Sequence, residues 1–140
     1  MLELRDFPGA GDPARLLPAQ SAESAPFWNM LAQGHLMTQA CSRCERARHP
    51  IAPICPHCGS AEFGWRPLRG SGSVHSWARY RRSYLPEFEP LMPYAVLCVA
   101  LDDGPRMFGR LTSGTPEIGM RVQAVVECFA GGGCAIAFDG

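Results

Sequence analysis

The chain has 140 residues, and its thirteen basic and thirteen acidic side chains leave a formal net charge of zero. Without a basic field over the molecule, a general nucleic-acid binder is disfavoured. All of the basic residues are Arg, so no side chain can form a Schiff base or act as a catalytic ammonium group. No apolar run approaches the roughly 18 residues that cross a bilayer, and no signal segment is visible. We therefore expect no membrane contact, a cytoplasmic location and reduced thiols.

The first part of the chain is predicted to be an arm followed by a short helix. Residues 1–23 are expected to form a flexible or partner-bound arm, because residues that break regular structure recur there. The breakers are Pro8, Gly9, Gly11, Pro13 and Pro18. Ser24 suits an N-cap and Pro26 the first helical turn, which predicts a helix over residues 24–33 that ends at Gly34.

Two Cys-x-x-Cys pairs, Cys41/Cys44 and Cys55/Cys58, follow the helix and are separated by ten residues. In a reducing compartment this spacing is typical of a metal site rather than of disulfides. Four thiolates close a tetrahedron and leave no position for water, so we predict a structural Zn²⁺ in a rubredoxin-like ribbon over residues 24–66. Iron in the same cage is the alternative. With four Cys available, His49 and His57 are interpreted as solvent-exposed loop residues.

Residues 67–140 read as short strands separated by turns. The predicted strands are Ser73–Arg82, Tyr94–Leu101, Arg106–Leu111, Met120–Phe129 and Cys134–Phe138. In the first strand, alternation is expected to place Val74, Ser76, Ala78 and Tyr80 on one face and His75, Trp77, Arg79 and Arg81 on the other. Five antiparallel strands commonly close into a barrel that removes unpaired edges, so an OB-fold barrel is predicted. Cys98, Cys128 and Cys134 lie in these strands without paired spacing and are interpreted as small buried apolar residues. The fold class is therefore mostly β: a helix, a ribbon and a barrel.

Several short motifs occur in an order that resembles a known family. They are Phe27-Trp28, Gly34-His35-Leu36, the two cysteine pairs, Gly70–Ser76, Pro93-Tyr94, Leu101-Asp102-Asp103-Gly104 and Ile118-Gly119-Met120-x-Val122. Over about residues 25–129 this order resembles the zinc-ribbon plus OB-fold proteins described as acyl-CoA-associated. The resemblance implies a small accessory subunit that pairs with thiolase-like enzymes or with hotdog-fold hydratases and aldolases. Its ribbon and barrel would position the partner and line a channel for the CoA or pantetheine arm.

A group of Arg and aromatic residues near the first barrel strand is the candidate contact for CoA or for the partner. Arginines can pair with phosphates and aromatic rings can stack on adenine. The candidates are Trp77, Arg79, Tyr80, Arg81, Arg82 and Tyr84. The alternative is that the arginines form a solvated strand face and the rings only pack. Apolar residues in the predicted loop 83–92 suggest a partner surface, to which Phe27, Trp28 and Met30 of the helix would add.

Three functions remain open from the sequence. The favoured one is a non-catalytic accessory subunit of an acyl-CoA-processing complex, most simply with a thiolase-like partner in a hetero-oligomer, because no catalytic constellation is recognisable. A single-stranded nucleic-acid module is suggested by the run Arg79-Tyr80-Arg81-Arg82 but opposed by the zero net charge. A rubredoxin-like electron carrier would require iron in the cysteine cage.

Overall fold

The ribbon and the barrel each form a separate sheet in the computed structural model, which describes residues 1–11, 17 and 19–140. In these ranges the elements are β1 (Leu4–Asp6), α1 (Ala25–Leu31), β2 (Met37–Cys41), β3 (Ala47–Arg48), β4 (Phe63–Pro67), β5 (Ser71–Tyr80), a 3-10 helix (Pro86–Leu91), β6 (Tyr94–Leu101), β7 (Arg106–Leu111), β8 (Arg121–Cys128) and β9 (Cys134–Asp139). The predicted mostly-β fold class is confirmed.

The ribbon is a three-stranded antiparallel sheet in the order β3-β2-β4. Its central strand β2 ends at Cys41, so the sheet delivers the first cysteine pair directly. The helix α1 is shorter than predicted, and Ser24 stands at its N-cap position without a side-chain cap. Instead, the Ser24 hydroxyl accepts the backbone N–H of Ser21 at 2.9 Å. The helix therefore depends on packing rather than on capping for its stability.

Strands β5 to β9 close into a barrel. Strand β5 pairs with β6 and β8, β7 pairs with β6 and runs parallel to β9, and β8 pairs with β9. The core holds fully buried side chains, among them Phe138, Leu97, Val99, Met107 and Val126. Gly109 lies against this core, because a Cβ at that position would stand 2.8 Å from the Phe138 ring. The five-stranded barrel is thus packed by apolar side chains.

The predicted flexible arm is wrong for the first residues of the chain. Strand β1 runs parallel to β8, with Leu4 opposite Val126. Leu2 is buried, and the Arg5 guanidinium donates to the Asp139 carboxylate at 2.6 and 2.7 Å. Beyond Gln123, β8 is no longer paired with β5, so its edge accepts β1 instead. Residues 12–16 and 18, which the same prediction included, lie outside the described residues.

The predicted alternation of faces along β5 is also wrong. The pairing with β6 skips His75, so a β-bulge lies between Val74 and Ser76. Val74 is buried, but Ser76 and Ala78, which the alternation placed on the same face, are exposed. One extra residue reverses every later side chain on a strand. No helix in the described part of the chain is long and apolar enough to cross a membrane.

Candidate functional site

The two cysteine pairs form equivalent turns. The backbone N–H of Glu45 donates to the carbonyl of Cys41 at 2.9 Å, and the N–H of Gly59 donates to the carbonyl of Cys55 at 2.9 Å. The residue after each pair has a left-handed backbone conformation, with φ of 66° at Glu45 and 78° at Gly59. Each turn brings its two sulfurs to the same side, so local sequence alone forms half of the site.

The four sulfurs fit a tetrahedral metal. Their ligand atoms all lie within 4.8 Å of one another. The Sγ atoms of Cys41 and Cys58 are 3.5 Å apart, and those of Cys44 and Cys55 are 3.6 Å apart. Zinc–sulfur bonds of about 2.3 Å in a tetrahedron place sulfurs about 3.8 Å apart. These distances support structural Zn²⁺ held by all four thiolates, which leaves no open coordination position.

Backbone amides of the turns also favour thiolates. The N–H of Cys44 donates to the Cys41 sulfur at 3.5 Å and lowers the pKa of that thiol to about 6. In the second turn the N–H of His57 donates to the Cys55 sulfur at 3.4 Å. A metal needs deprotonated ligands, so these bonds prepare the site for binding.

The two histidines of the ribbon lie in different environments. His57 is exposed as predicted, and its Nδ1 lies 2.9 Å from the Arg46 guanidinium. His49 is only half-exposed, since its ring packs 5.6 Å from the ring of Phe27. Burial lowers the pKa of His49. The prediction of an exposed loop residue is therefore wrong for His49, although neither histidine belongs to the metal site.

The predicted CoA-contact residues lie together around the end of β5 and the segment that follows it. The Arg79 guanidinium lies 5.9 Å from the Trp77 ring centre, and that of Arg82 lies 5.4 Å from the Tyr84 ring centre. Arg81 and Arg82 are exposed, Trp77 is 40% exposed and Tyr84 is 73% exposed. These five side chains are accessible to a ligand or a partner, and the contact itself stays a prediction.

Other aromatic residues of this region pack on the barrel instead. Tyr80 stacks on Tyr94, with ring centres 5.0 Å apart, and Phe88 of the 3-10 helix lies 5.4 Å from Tyr94. Phe88 also contacts Phe7, which in turn contacts Phe129. The apolar residues of loop 83–92 are therefore mostly half-buried against the barrel, and Tyr84 is the one that projects. Phe27, predicted to extend the partner surface, is a core residue.

A cavity of about 790 Å³ lies where the helix, the ribbon and the barrel meet. Phe27, Trp28, Ile51, Phe108 and Ile136 give it mostly apolar walls, and Glu23 and His49 are its titratable lining residues among those described. Phe108, an outward residue of β7, is 68% exposed. The sequence analysis missed this site. An aromatic side chain at an outward strand position beside the buried Met107 was the available signal.

The barrel cysteines are not all independent of one another. Cys128 and Cys134 are directly opposite on β8 and β9, and their sulfurs are 2.7 Å apart. Burial, with the adjacent Cys128, raises the pKa of Cys134 to about 12. Cys134 and Cys98 are buried as predicted, whereas Cys128 is half-exposed. Their positions on either side of the Gly131–Gly133 turn were the signal for this pair.

Known proteins match both halves of the chain. Residues 28–64 match a family described as the rubredoxin-like zinc ribbon domain of ChsH2, and residues 65–127 match its C-terminal OB-fold domain. A chain of a solved structure titled "Ltp2-ChsH2(DUF35) aldolase" superimposes with a TM-score of 0.79 at 32% identity, over 88% of this chain and 98% of that one. The chain belongs to the ChsH2 family.

Curated relatives of this ChsH2-family chain carry two kinds of description. A "probable enoyl-CoA hydratase alpha subunit" of Thermomonospora curvata is 37% identical over 75% of this chain, and the match covers 33% of the hydratase subunit. A "DUF35 domain-containing scaffold protein" of Methanocaldococcus jannaschii is 33% identical over 61% of this chain and 62% of that protein. The chain thus spans about a third of the first relative and under two thirds of the second.

Proposed function

We propose that this chain is a non-catalytic accessory subunit of an acyl-CoA-processing enzyme complex. The observation that carries the proposal is the likeness, over 88% of this chain and 98% of the other, to a chain of the Ltp2-ChsH2(DUF35) aldolase structure. The closed four-sulfur site agrees with it, because such a metal supports a fold and has no position for a substrate. The partner is a thiolase-like, hydratase or aldolase subunit, and a thiolase-like enzyme remains our first expectation.

Surface features support docking by both the ribbon and the barrel. The cavity and the exposed Phe108 form an apolar surface shared by α1, the ribbon and the barrel. Trp77, Arg79 and Tyr84 add half-exposed or exposed groups of the types that are enriched at protein interfaces. A subunit that offers contact area without a catalytic centre acts by positioning the enzyme that it binds.

Guidance of the CoA arm is the finer part of the proposal. Arg79, Arg81 and Arg82 form no ion pair with any described residue, so their guanidinium groups remain available for phosphates. Trp77 and Tyr84 lie beside two of these guanidiniums and offer faces for adenine. In this role the five residues would hold the nucleotide end of CoA while the thioester lies in the partner enzyme.

Native mass spectrometry of the tagged protein, recovered from its own host, tests the accessory role. We expect a zinc-bearing complex with an acyl-CoA enzyme subunit, identified by peptide sequencing and then reassembled from purified proteins. In that complex, Arg82→Gln should raise the KM for a CoA thioester but not for the pantetheine thioester, which lacks the phosphates. Arg106→Gln, an exposed arginine on β7, is the matched control.

Two results would count against the proposal. A zinc-bearing monomer that associates with no acyl-CoA enzyme would remove the accessory role. An unchanged KM for the CoA thioester in Arg79→Gln and Arg82→Gln would leave the subunit role intact and remove the guidance of CoA.

A further inference from the structure

Strand β5 is paired on both edges in its first half and on one edge in its second half. Ser71–Ser73 pair with β8, and Val74 exchanges backbone hydrogen bonds with Met120 and Gly119 at 3.0 and 2.8 Å. From Ser76 to Tyr80 the strand pairs with β6, and no described residue pairs with its other edge. Strand β8 begins at Arg121, opposite Ser73, so it does not extend along the second half of β5. The second half of β5 is therefore an open edge among the residues that the structure describes.

The register identifies the backbone groups that face this open edge. The N–H of Leu101 donates to the carbonyl of Pro105, which lies on the side of β6 that faces away from β5. Counting back from Leu101, the backbone groups of successive β6 residues point alternately away from β5 and toward it. The backbone N–H and C=O groups therefore point toward β5 at Cys98, Val96 and Tyr94, and away from β5 at Leu97 and Ala95. Trp77 is opposite Leu97 and Arg79 is opposite Ala95. In a non-hydrogen-bonded pair of antiparallel strands, the backbone groups of both residues point away from each other. Trp77 and Arg79 therefore present their N–H and C=O groups to the open edge.

The bulge at His75 produces this arrangement. It shifts the register by one residue and separates the paired beginning of β5 from its open end. Trp77 and Tyr80 are 40% and 39% exposed, and Ser76 and Ala78 are exposed as well, so solvent reaches both faces of this segment. The Arg79 guanidinium lies over Trp77, on a face of the strand rather than across its edge. An edge of this kind is a template for another strand.

The charge at the edge indicates which strand would pair with it. Arg79, Arg81 and Arg82 carry three positive charges that no described carboxylate pairs with. Two copies of this edge in antiparallel pairing would bring six guanidiniums together, which opposes self-association. An extended segment that carries carboxylates satisfies the open backbone groups and the charges together.

We propose that the β5 edge at Trp77 and Arg79 binds an extended, carboxylate-bearing segment of the partner enzyme by strand addition. This inference rests on the proposed accessory function and specifies how the partner is held. It assigns the three arginines to carboxylates of the partner in place of the phosphates of CoA, so a raised KM of Arg82→Gln for the CoA thioester alone would favour the CoA assignment instead. The bound segment adds a strand beside β5, its main chain bonds Trp77 and Arg79, and its acidic side chains reach the guanidiniums. Backbone pairing gives the affinity, and the three arginines select an acidic sequence.

Residue-level hydrogen–deuterium exchange of the free chain and of the purified complex tests the proposal. In the free chain the amides of Trp77 and Arg79 should exchange fast, while those of Ala78 and Tyr80, which pair with β6, should exchange slowly. In the complex, exchange at Trp77 and Arg79 should slow by roughly tenfold or more. An interface made of side chains alone would leave these two amides less protected than their neighbours.

Two variants separate the backbone contribution from the charge. Arg79→Pro removes the outward N–H, which an edge strand tolerates, and should weaken the complex more than Arg79→Met, which removes only the charge. Slow exchange at Ala78 and Tyr80 in Arg79→Met, and at Tyr80 in Arg79→Pro, would show that the β5–β6 hairpin is intact. Equal affinities for the two variants would overturn strand addition.

The possible failures are distinguishable. A complex that forms with fast exchange at Trp77 and Arg79 would overturn the inference and leave the proposed function standing. If no complex forms at all, the proposed function fails first. A dimer of the free chain with both amides protected would identify the occupant as a second copy and overturn the acidic partner segment.

Discussion

The interior of the ribbon is more polar than that of the barrel. In the barrel the fully buried side chains include Phe138, Leu97 and Met107. In the ribbon the side chains of Thr38 and Gln39 are just as buried, and Arg48 is nearly so. Burial of apolar area stabilises the barrel, whereas the three ribbon strands bury only Met37 and Cys41 as apolar side chains and gain less from it. The comparison teaches that one chain combines a module held by its core with a module held by its metal.

Hydrogen bonds organise the ribbon interior without giving it a large driving force. Gln39 accepts the backbone N–H of Ala52 at 2.9 Å and donates to the carbonyl of Ala52 at 3.2 Å. Arg48 donates through its Nε to Gln39 and Ala52, but its two terminal nitrogens have no hydrogen-bond partner among the described residues. A buried, partly satisfied cation costs free energy.

Removal of the metal should produce the largest effect and break the comparison most sharply. Zinc contributes about 10–16 kcal/mol to small zinc modules at neutral pH, so the ribbon should unfold when a chelator removes the metal or when Cys41→Ser removes a ligand. The barrel should stay folded, because its apolar core does not involve the metal. Trp65 in β4 and Trp77 in β5 report on the two modules, and their indole NMR signals should separate.

Cys98→Ser is the matched control for this measurement, because it removes a buried thiol from the barrel and none from the metal site. It should keep one zinc per chain and a native Trp65 signal. A Trp65 signal that survives complete loss of zinc would show that the ribbon has its own sufficient core.

Truncation of the barrel core should give the next largest effect, in the other module. Phe138 is fully buried and closes against Gly109, so Phe138→Ala should cost about 3–5 kcal/mol through the lost side chain and the cavity that remains. Chemical denaturation, followed by the Trp77 signal, measures this loss, and the zinc content should remain at one per chain.

Phe108→Ala removes an aromatic ring of the same size that is 68% exposed, and should change the stability by no more than about 0.5 kcal/mol. Similar losses for the two phenylalanines would mean that the outward face of β7 contributes to the barrel as much as its inward face does.

The sequence predicted the metal site completely and the barrel partly. Each cysteine pair is a local motif, and β6 and β7 have the predicted bounds because their apolar patterns and the intervening turn are local. Non-local contacts were not predictable in this way. The pairing of Leu4 with Val126 joins residues far apart in the chain. The proline and glycine residues that follow Leu4 indicated a flexible arm instead. An alternation pattern also cannot reveal a bulge, which is why the faces after His75 were wrong.

The candidate contacts were predicted unevenly for the same reason. Trp77, Arg79 and Arg82 lie close together in the chain, so the sequence brings them to one region. The cavity needs residues from α1, the ribbon and β7, which the tertiary fold alone brings together. Open backbone groups at Trp77 and Arg79 depend on the register with β6, which has no signal in the residues themselves.

The two cysteine turns can also be compared with each other, where substitutions should have smaller effects than loss of the metal or of the Phe138 ring. Gly59 and Glu45 occupy the same left-handed position after their pairs, and only glycine adopts it without cost. A Cβ at Gly59 would meet nothing within 4 Å, so Gly59→Ala tests backbone conformation alone. We expect it to cost about 1 kcal/mol, or about fivefold in zinc affinity. Glu45→Gly should change the affinity in the opposite direction, by less than about fivefold, because glycine also loses more entropy on folding. Competition with a chelator of known affinity measures both, and equal effects of the same sign would show that the metal rather than the turn sets this conformation.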